Sequence, residues 1–98
     1  MPPGRGPLTR ETAILRRVVK QKYRFLLGRH GPEEMAKDAI LEPDARRVLR
    51  MGSVTWTETK KDEIWHVEGK DVDGRNIRLV VVVWEESLTI KLVTAMLI

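Results

Sequence analysis

Proton transfer, phosphate recognition and base stacking are the chemistries for which this chain carries side chains. It holds two histidines, His30 and His66, eighteen Lys or Arg, three tryptophans and no cysteine. Without cysteine there is no thiol nucleophile, disulfide framework or cysteine-built metal site. Two histidines do not make a zinc site without carboxylates or a second chain, so no metal or cofactor is expected. Imidazole is the side chain that changes charge near neutral pH, and either histidine suits acid–base work. Metal-free RNA cleavage needs such a group, together with cations that stabilise charge growing on the phosphoryl oxygens. Arg78 can clamp a phosphate with its forked donors. Trp84 offers a flat surface on which a base can stack.

Strands must bring these residues together, and the residue pattern supplies them. After Gly52 the apolar period changes from helical to alternating. Strands are predicted over 53–59, 64–69, 76–84 and 88–96, with Asp73-Gly74 as a tight-turn pair between the second and third. Val54 and Trp56 are expected on one face of the first strand. Alternation then turns Trp65, Val67, Ile77, Leu79, Val81, Val83, Leu88, Ile90 and Leu92 toward the helices. His66, Glu68, Arg78, Thr89 and Lys91 fall on the opposite face, among Val80, Val82 and Trp84. A one-residue slip in register would bury His66 and Arg78 as a block. The same residues also read as solvated outward side chains of a two-layer domain.

Before Gly52 the spacing is helical. Ile14, Leu15, Val18 and Val19 predict a helix over 10–21, with Thr9 as its N-cap and Arg16, Arg17 and Lys20 turned away. Residues 23–27 (YRFLL) suit either an extension of that helix or a short strand. A second helix is expected over 32–39, and a third from Pro43 to a stop at Gly52. His30, at the entry to the second helix, either locks the helix by hydrogen bonding or acts beside an anion-favouring helix end. Residues 1–8 read as a flexible leader and 9–98 as one domain. The fold class is α+β, with short N-terminal helices on one face of a four-stranded antiparallel sheet.

Charge is unevenly placed. Residues 1–30 carry eight basic side chains against one acid, whereas 31–98 carry ten against thirteen. A basic arm on a slightly acidic body points to a polyanion or an acidic protein as partner, through Arg16, Arg17 and Lys20. The longest apolar run, Leu79 to Trp84, is too short to span a membrane. The opening residues lack the apolar stretch of a secretory signal, so a cytoplasmic protein is expected. No phosphate-binding glycine loop or hydrolase elbow is present.

From His30 onward the chain resembles a small bacterial family known as domain-of-unknown-function family 4258. The resemblance rests on His30, Glu34-Met35, Ile40, Asp44 and Val48-Leu49-Arg50-Met51-Gly52. It continues through Val67-Glu68-Gly69-Lys70, Asp73-Gly74-Arg75 and the valine-rich strand to Val93-Thr94. Ala95-Met96 depart from the family, where an aromatic residue is common. That family looks related to the RelE, BrnT and MqsR toxins, compact α+β ribonucleases of toxin–antitoxin pairs. The resemblance implies a RelE/MqsR-like fold, RNA as partner, sometimes on the ribosome, and a cognate antitoxin. By position it aligns His30 with the family's histidine, Arg75 with its glycine-basic turn and Thr94 with the threonine of its last strand.

The expectation is a toxin-like RNA-binding protein acting as a metal-independent endoribonuclease. His30, His66 and Arg78 would be catalytic, and Lys61, Arg75, Lys91 and Trp84 would hold RNA. The alternative is a non-catalytic interaction module with the same fold, working through its basic helix on a protein or nucleic acid. A DNA-binding regulator fits less well, because the only strongly basic helix is the first.

Overall fold

The structure, a computed structural model, describes residues 7–98. The element order is α1 (Thr9–Val19), β1 (Arg24–Leu27), α2 (Gly31–Lys37), α3 (Glu42–Met51), β2 (Ser53–Thr59), β3 (Glu63–Lys70), β4 (Asn76–Trp84) and β5 (Thr89–Leu97). The strands form one sheet in the order β1-β5-β4-β3-β2. β2 to β5 are an antiparallel meander, whereas β1 runs parallel to β5. The fold is α+β, but its sheet is mixed and five-stranded rather than four-stranded and antiparallel. The added strand comes from the YRFLL segment. Phe25 pairs with Ile90 and Leu27 with Leu92, so its alternate side chains extend the apolar face of β5.

Most of the predicted leader, residues 1–6, lies outside the described residues. Leu8 belongs to the domain: its N–H donates to the Val54 carbonyl at 2.7 Å and its side chain packs on the core. Leu8, not Thr9, is the N-cap of α1, and no side chain caps that end. Thr12 is the side chain that ties α1 to the sheet, accepting the Val54 N–H at 3.0 Å. α3 is capped by Asp44, whose carboxylate reaches back to the Leu41 N–H at 3.0 Å.

The core lies between the helices and one face of the sheet. Leu15 and Val18 of α1, Met35 of α2, and Ala45, Val48 and Leu49 of α3 meet Val54, Trp65, Val67, Ile77, Leu79, Val81, Ile90 and Leu92. Every strand residue predicted to face the helices from 65 to 81 is buried there. Two register shifts interrupt the alternation, one between Val54 and Trp56, the other opposite Val80 and Val81. The first contradicts the expectation that Val54 and Trp56 share a face. Val54 pairs with Val67 on the core side, whereas Trp56 pairs with His66 on the other. The extra residue of a bulge re-aims every side chain beyond it.

α3 joins β2 through a close backbone approach at Gly52. A Cβ on Gly52 would strike the Glu68 carbonyl oxygen and lie 2.6 Å from that of Val48. Gly69 faces it, and a Cβ there would come within 2.8 Å of the Gly52 Cα. Gly52→Ala should therefore push α3 off β3 and cost about 1–3 kcal/mol, the usual range for overpacking, as read from urea unfolding. An unchanged unfolding midpoint would show that the junction relaxes freely.

Candidate functional site

Pairing across the sheet sorts the uncovered face into rows. Trp56, His66, Val80 and Thr94 make one. Glu68, Arg78 and Met96 make the next toward the β3–β4 turn. On the other side come Val82, Lys91 and Leu26, then Trp84, Thr89 and Arg24. His66, Arg78, Lys91 and Trp84 thus share one face, as alternation predicted. His30, Arg75, Lys61 and the basic residues of α1 lie elsewhere.

Sharing a face does not leave these groups free. His66 is only 7% exposed. The Trp56 ring stacks on its imidazole with centroids 4.5 Å apart and planes tilted by 37°. Its Nε2 donates to Glu58 Oε2 at 2.8 Å, and its Nδ1 is buried without a partner. Neither ring nitrogen is open to a substrate in this arrangement. Glu58, with 29% of its side chain exposed, is the reachable member of the pair. The His66 hydrogen bond, which outweighs desolvation and is helped by Lys60, holds the Glu58 carboxyl below the usual carboxylate range. Arg78 is likewise engaged, since its Nε and Nη2 both donate to Glu68 Oε2, at 3.0 and 2.9 Å.

Arg75 is a structural clamp. Asp71, 2% exposed, accepts from the Asp73 N–H at 3.0 Å, the Arg75 N–H at 2.7 Å and the Arg75 Nε at 2.5 Å. The remaining arm of Arg75 donates to the carbonyls of Asp38 and Ala39, at 2.9 and 3.0 Å. The β3–β4 turn is thereby tied to the segment between α2 and α3. Burial alone would raise the Asp71 pKa, but the side-chain and backbone bonds from Arg75 outweigh it and lower the value. Each nitrogen of this guanidinium donates to a partner inside the fold, so an RNA phosphate would compete with those bonds for Arg75.

His30 is exposed at the N-cap of α2, where it makes no side-chain capping bond and sits 3.9 Å from Glu33. The locking hydrogen bond foreseen for it is absent. Thr94 donates instead to Glu34 Oε1 of α2 at 2.8 Å. Lys61 is exposed in the β2–β3 turn. On α1, Arg16 donates to the Met51 carbonyl at 3.4 Å and Arg17 pairs with Glu85 at 3.0 Å, leaving Lys20 exposed. The Arg17 contact brings the basic end of α1 to the β4–β5 turn, beside Trp84. Trp84 is 39% exposed. Arg24 stands in its row, two strands and about 10 Å away. The Lys91 stem lies across Gly28, with Cε 3.3 Å from where a Cβ would sit. Neither Arg24 nor Lys91 forms an ion pair among the described residues.

Sequence reasoning missed Glu58, Trp56 and Arg24. The bulge before Trp56 hid the first two, and Arg24 lay in a segment whose strand character was undecided. Among the described residues, no three His, Asp or Glu side chains converge as a metal site would require, and no helix is long and apolar enough to cross a membrane. Compared with known proteins, the chain matches no family model, no curated protein and no solved structure.

The Glu58–His66 pair has an acid limit whose sign is fixed. With its pKa lowered by folding, Glu58 contributes stability above the ordinary carboxylate range and loses it as pH falls through the lowered value. Protonation there removes the acceptor that holds His66 against Trp56. Tryptophan fluorescence should change across that acid window, and the change should vanish in both Glu58→Gln and Trp56→Phe. A transition that survives Glu58→Gln would belong to another carboxylate.

Proposed function

We propose that the chain is a toxin-like RNA-binding domain of the cytoplasm, neutralised by a cognate antitoxin. It holds a single strand over the open sheet face at its Trp84 end. The observation that carries the reading is the row of Trp84 and Arg24 beside Lys91. A base can stack on the exposed indole while the two unpaired cations meet the backbone phosphates, the arrangement used by sequence-tolerant single-strand binders. The family resemblance supplies the toxin and antitoxin context. The cations at the other end of this face support it less, because Arg78 already neutralises Glu68.

A second reading, the metal-independent endoribonuclease, is favoured by the Glu58–His66 pair alone. A partly exposed carboxylate held by a histidine is placed to receive a 2′-hydroxyl proton, and its lowered pKa makes it a weaker base than a free carboxylate. Arg78, in the neighbouring row, would have to exchange Glu68 for a phosphate. His30 is the exposed histidine left to serve a leaving oxygen.

Fluorescence anisotropy with a uridine-rich oligonucleotide in EDTA tests the first reading. Trp84→Ala should weaken binding by about 1–3 kcal/mol, the worth of one stacked base. Arg24→Ala and Lys91→Ala should each lower the salt slope by about 0.7, one phosphate on a single strand. Binding that is indifferent to all three would sink the reading. The same mixtures, run on a gel with and without ribosomes, decide the second. Cleavage that disappears in Glu58→Gln and His66→Gln while binding persists would establish a nuclease, and intact RNA would leave a binding domain.

A further inference from the structure

β1 is an edge strand with one side of its backbone unused. Arg24 N–H donates to the Leu88 carbonyl and Gly28 N–H to that of Leu92, at 2.8 and 2.7 Å. Alternation along a parallel strand therefore turns the N–H and C=O groups of Phe25 and Leu27 away from β5. Among the described residues, no strand pairs with this outer edge. Such an edge is a template for another extended chain. Arg46 of α3 lies over the Tyr23 and Phe25 rings, 5.1 and 5.3 Å from their centroids, and so pins the side chain of Phe25 inward. Leu26 and Leu27 remain substantially exposed on opposite faces of the strand.

Charge selects the occupant. From residue 12 to residue 32 the chain carries six Lys or Arg and no acid. Lys22 and Arg24 stand at one end of the edge and Arg29 just beyond the other, all exposed. Glu42, on the nearby helix, is already paired with Arg46 at 2.7 Å. A second copy of this chain would fit poorly: antiparallel β1–β1 pairing through the outward groups of Phe25 and Leu27 brings Lys22, Arg24 and Arg29 of both copies together along one edge. We infer that the β1 edge captures an extended peptide segment of a protein partner, one that alternates acidic and apolar residues, as a sixth strand. Backbone bonds to Phe25 and Leu27 give the register, and contacts with Leu26, Leu27 and the flanking cations give the preference. This surface is the edge of the sheet and does not depend on the open face binding RNA.

The probe is a synthetic peptide of alternating glutamate and valine, with a lysine–valine peptide as its control. Amide NMR of the whole chain should show the Phe25 and Leu27 N–H groups shifting and becoming protected from exchange on adding the acidic peptide, and not on adding the basic one. Leu27→Pro removes one outward N–H and leaves the bonds to β5 intact, as proline is tolerated on edge strands. It should weaken the acidic peptide about three- to tenfold. Arg24→Glu with Arg29→Glu should abolish its salt-dependent binding. Should Leu27→Pro fail to fold, the wild-type amide map decides by itself. The inference is overturned if the shifts fall on α1 or on β3 and β4 and not on β1, if the basic peptide binds equally well, or if the chain self-associates through β1. It is also overturned if oligouridylate protects these two amides and the peptide does not.

Discussion

Helices cover only one side of a five-stranded sheet here, and that constraint governs the character of the other side. A sheet of this size presents apolar groups on both faces, because β4 reads Leu-Val-Val-Val-Val without interruption. On the helix side, Leu79 and Val81 are buried by α3 and its neighbours. Among the described residues no element covers the opposite side, yet Val80 and Val82 are also nearly buried. Longer side chains flank both: Val80 stands in the row of His66 and Trp56, and Val82 is paired with Lys91. Trp56 lies on His66, whose Nε2 is bonded to Glu58, and Arg78 reaches along to Glu68.

Burial on this face explains why residues chosen for their chemistry are so often engaged. A buried imidazole needs a hydrogen-bond partner, and Glu58 provides one. A half-buried guanidinium needs a carboxylate, and Glu68 provides that. Charge pairing in the middle of the face is thus a consequence of its having no helix above it. At the Trp84 end, Arg24 and Lys91 form no ion pair among the described residues. Availability for a ligand follows from what the fold does not need.

Much of this was legible in the residues. Apolar alternation from Trp65 to Val83 placed the core face and set His66, Arg78, Lys91 and Trp84 together opposite it, because antiparallel hairpins keep side-chain parity from strand to strand. Three things were hidden for physical reasons. The pairing of β1 with β5 joins segments at opposite ends of the described chain, so no local turn signals it. The bulge before Trp56 adds a residue without any glycine or proline to mark it, which reversed the face assigned to Trp56 and concealed Glu58. The bonding of Arg75 to Asp71 depends on a buried carboxylate that a turn containing Asp73-Gly74 makes look solvent-exposed.

The two ends of the sheet differ in how they use charge. At the β3–β4 end, Asp71, Arg75 and Asp44 knit the turn to the segment before α3, so that carboxylates there meet their cations inside the fold. At the β4–β5 end, α1 arrives with Arg17 on Glu85, and the chain passes through Lys20, Lys22 and Arg24 before a single acid recurs at Glu33. A segment that carries like charges without internal partners raises its own electrostatic energy, which a bound anion relieves. The parallel strand β1 holds that segment beside both the exposed indole and an open backbone edge. Its place in the sheet therefore turns a stretch of unbalanced sequence charge into a localised surface field. The acidic partners argued from composition and those argued from geometry meet on that surface, because β1 supplies the backbone and the basic segment supplies the field.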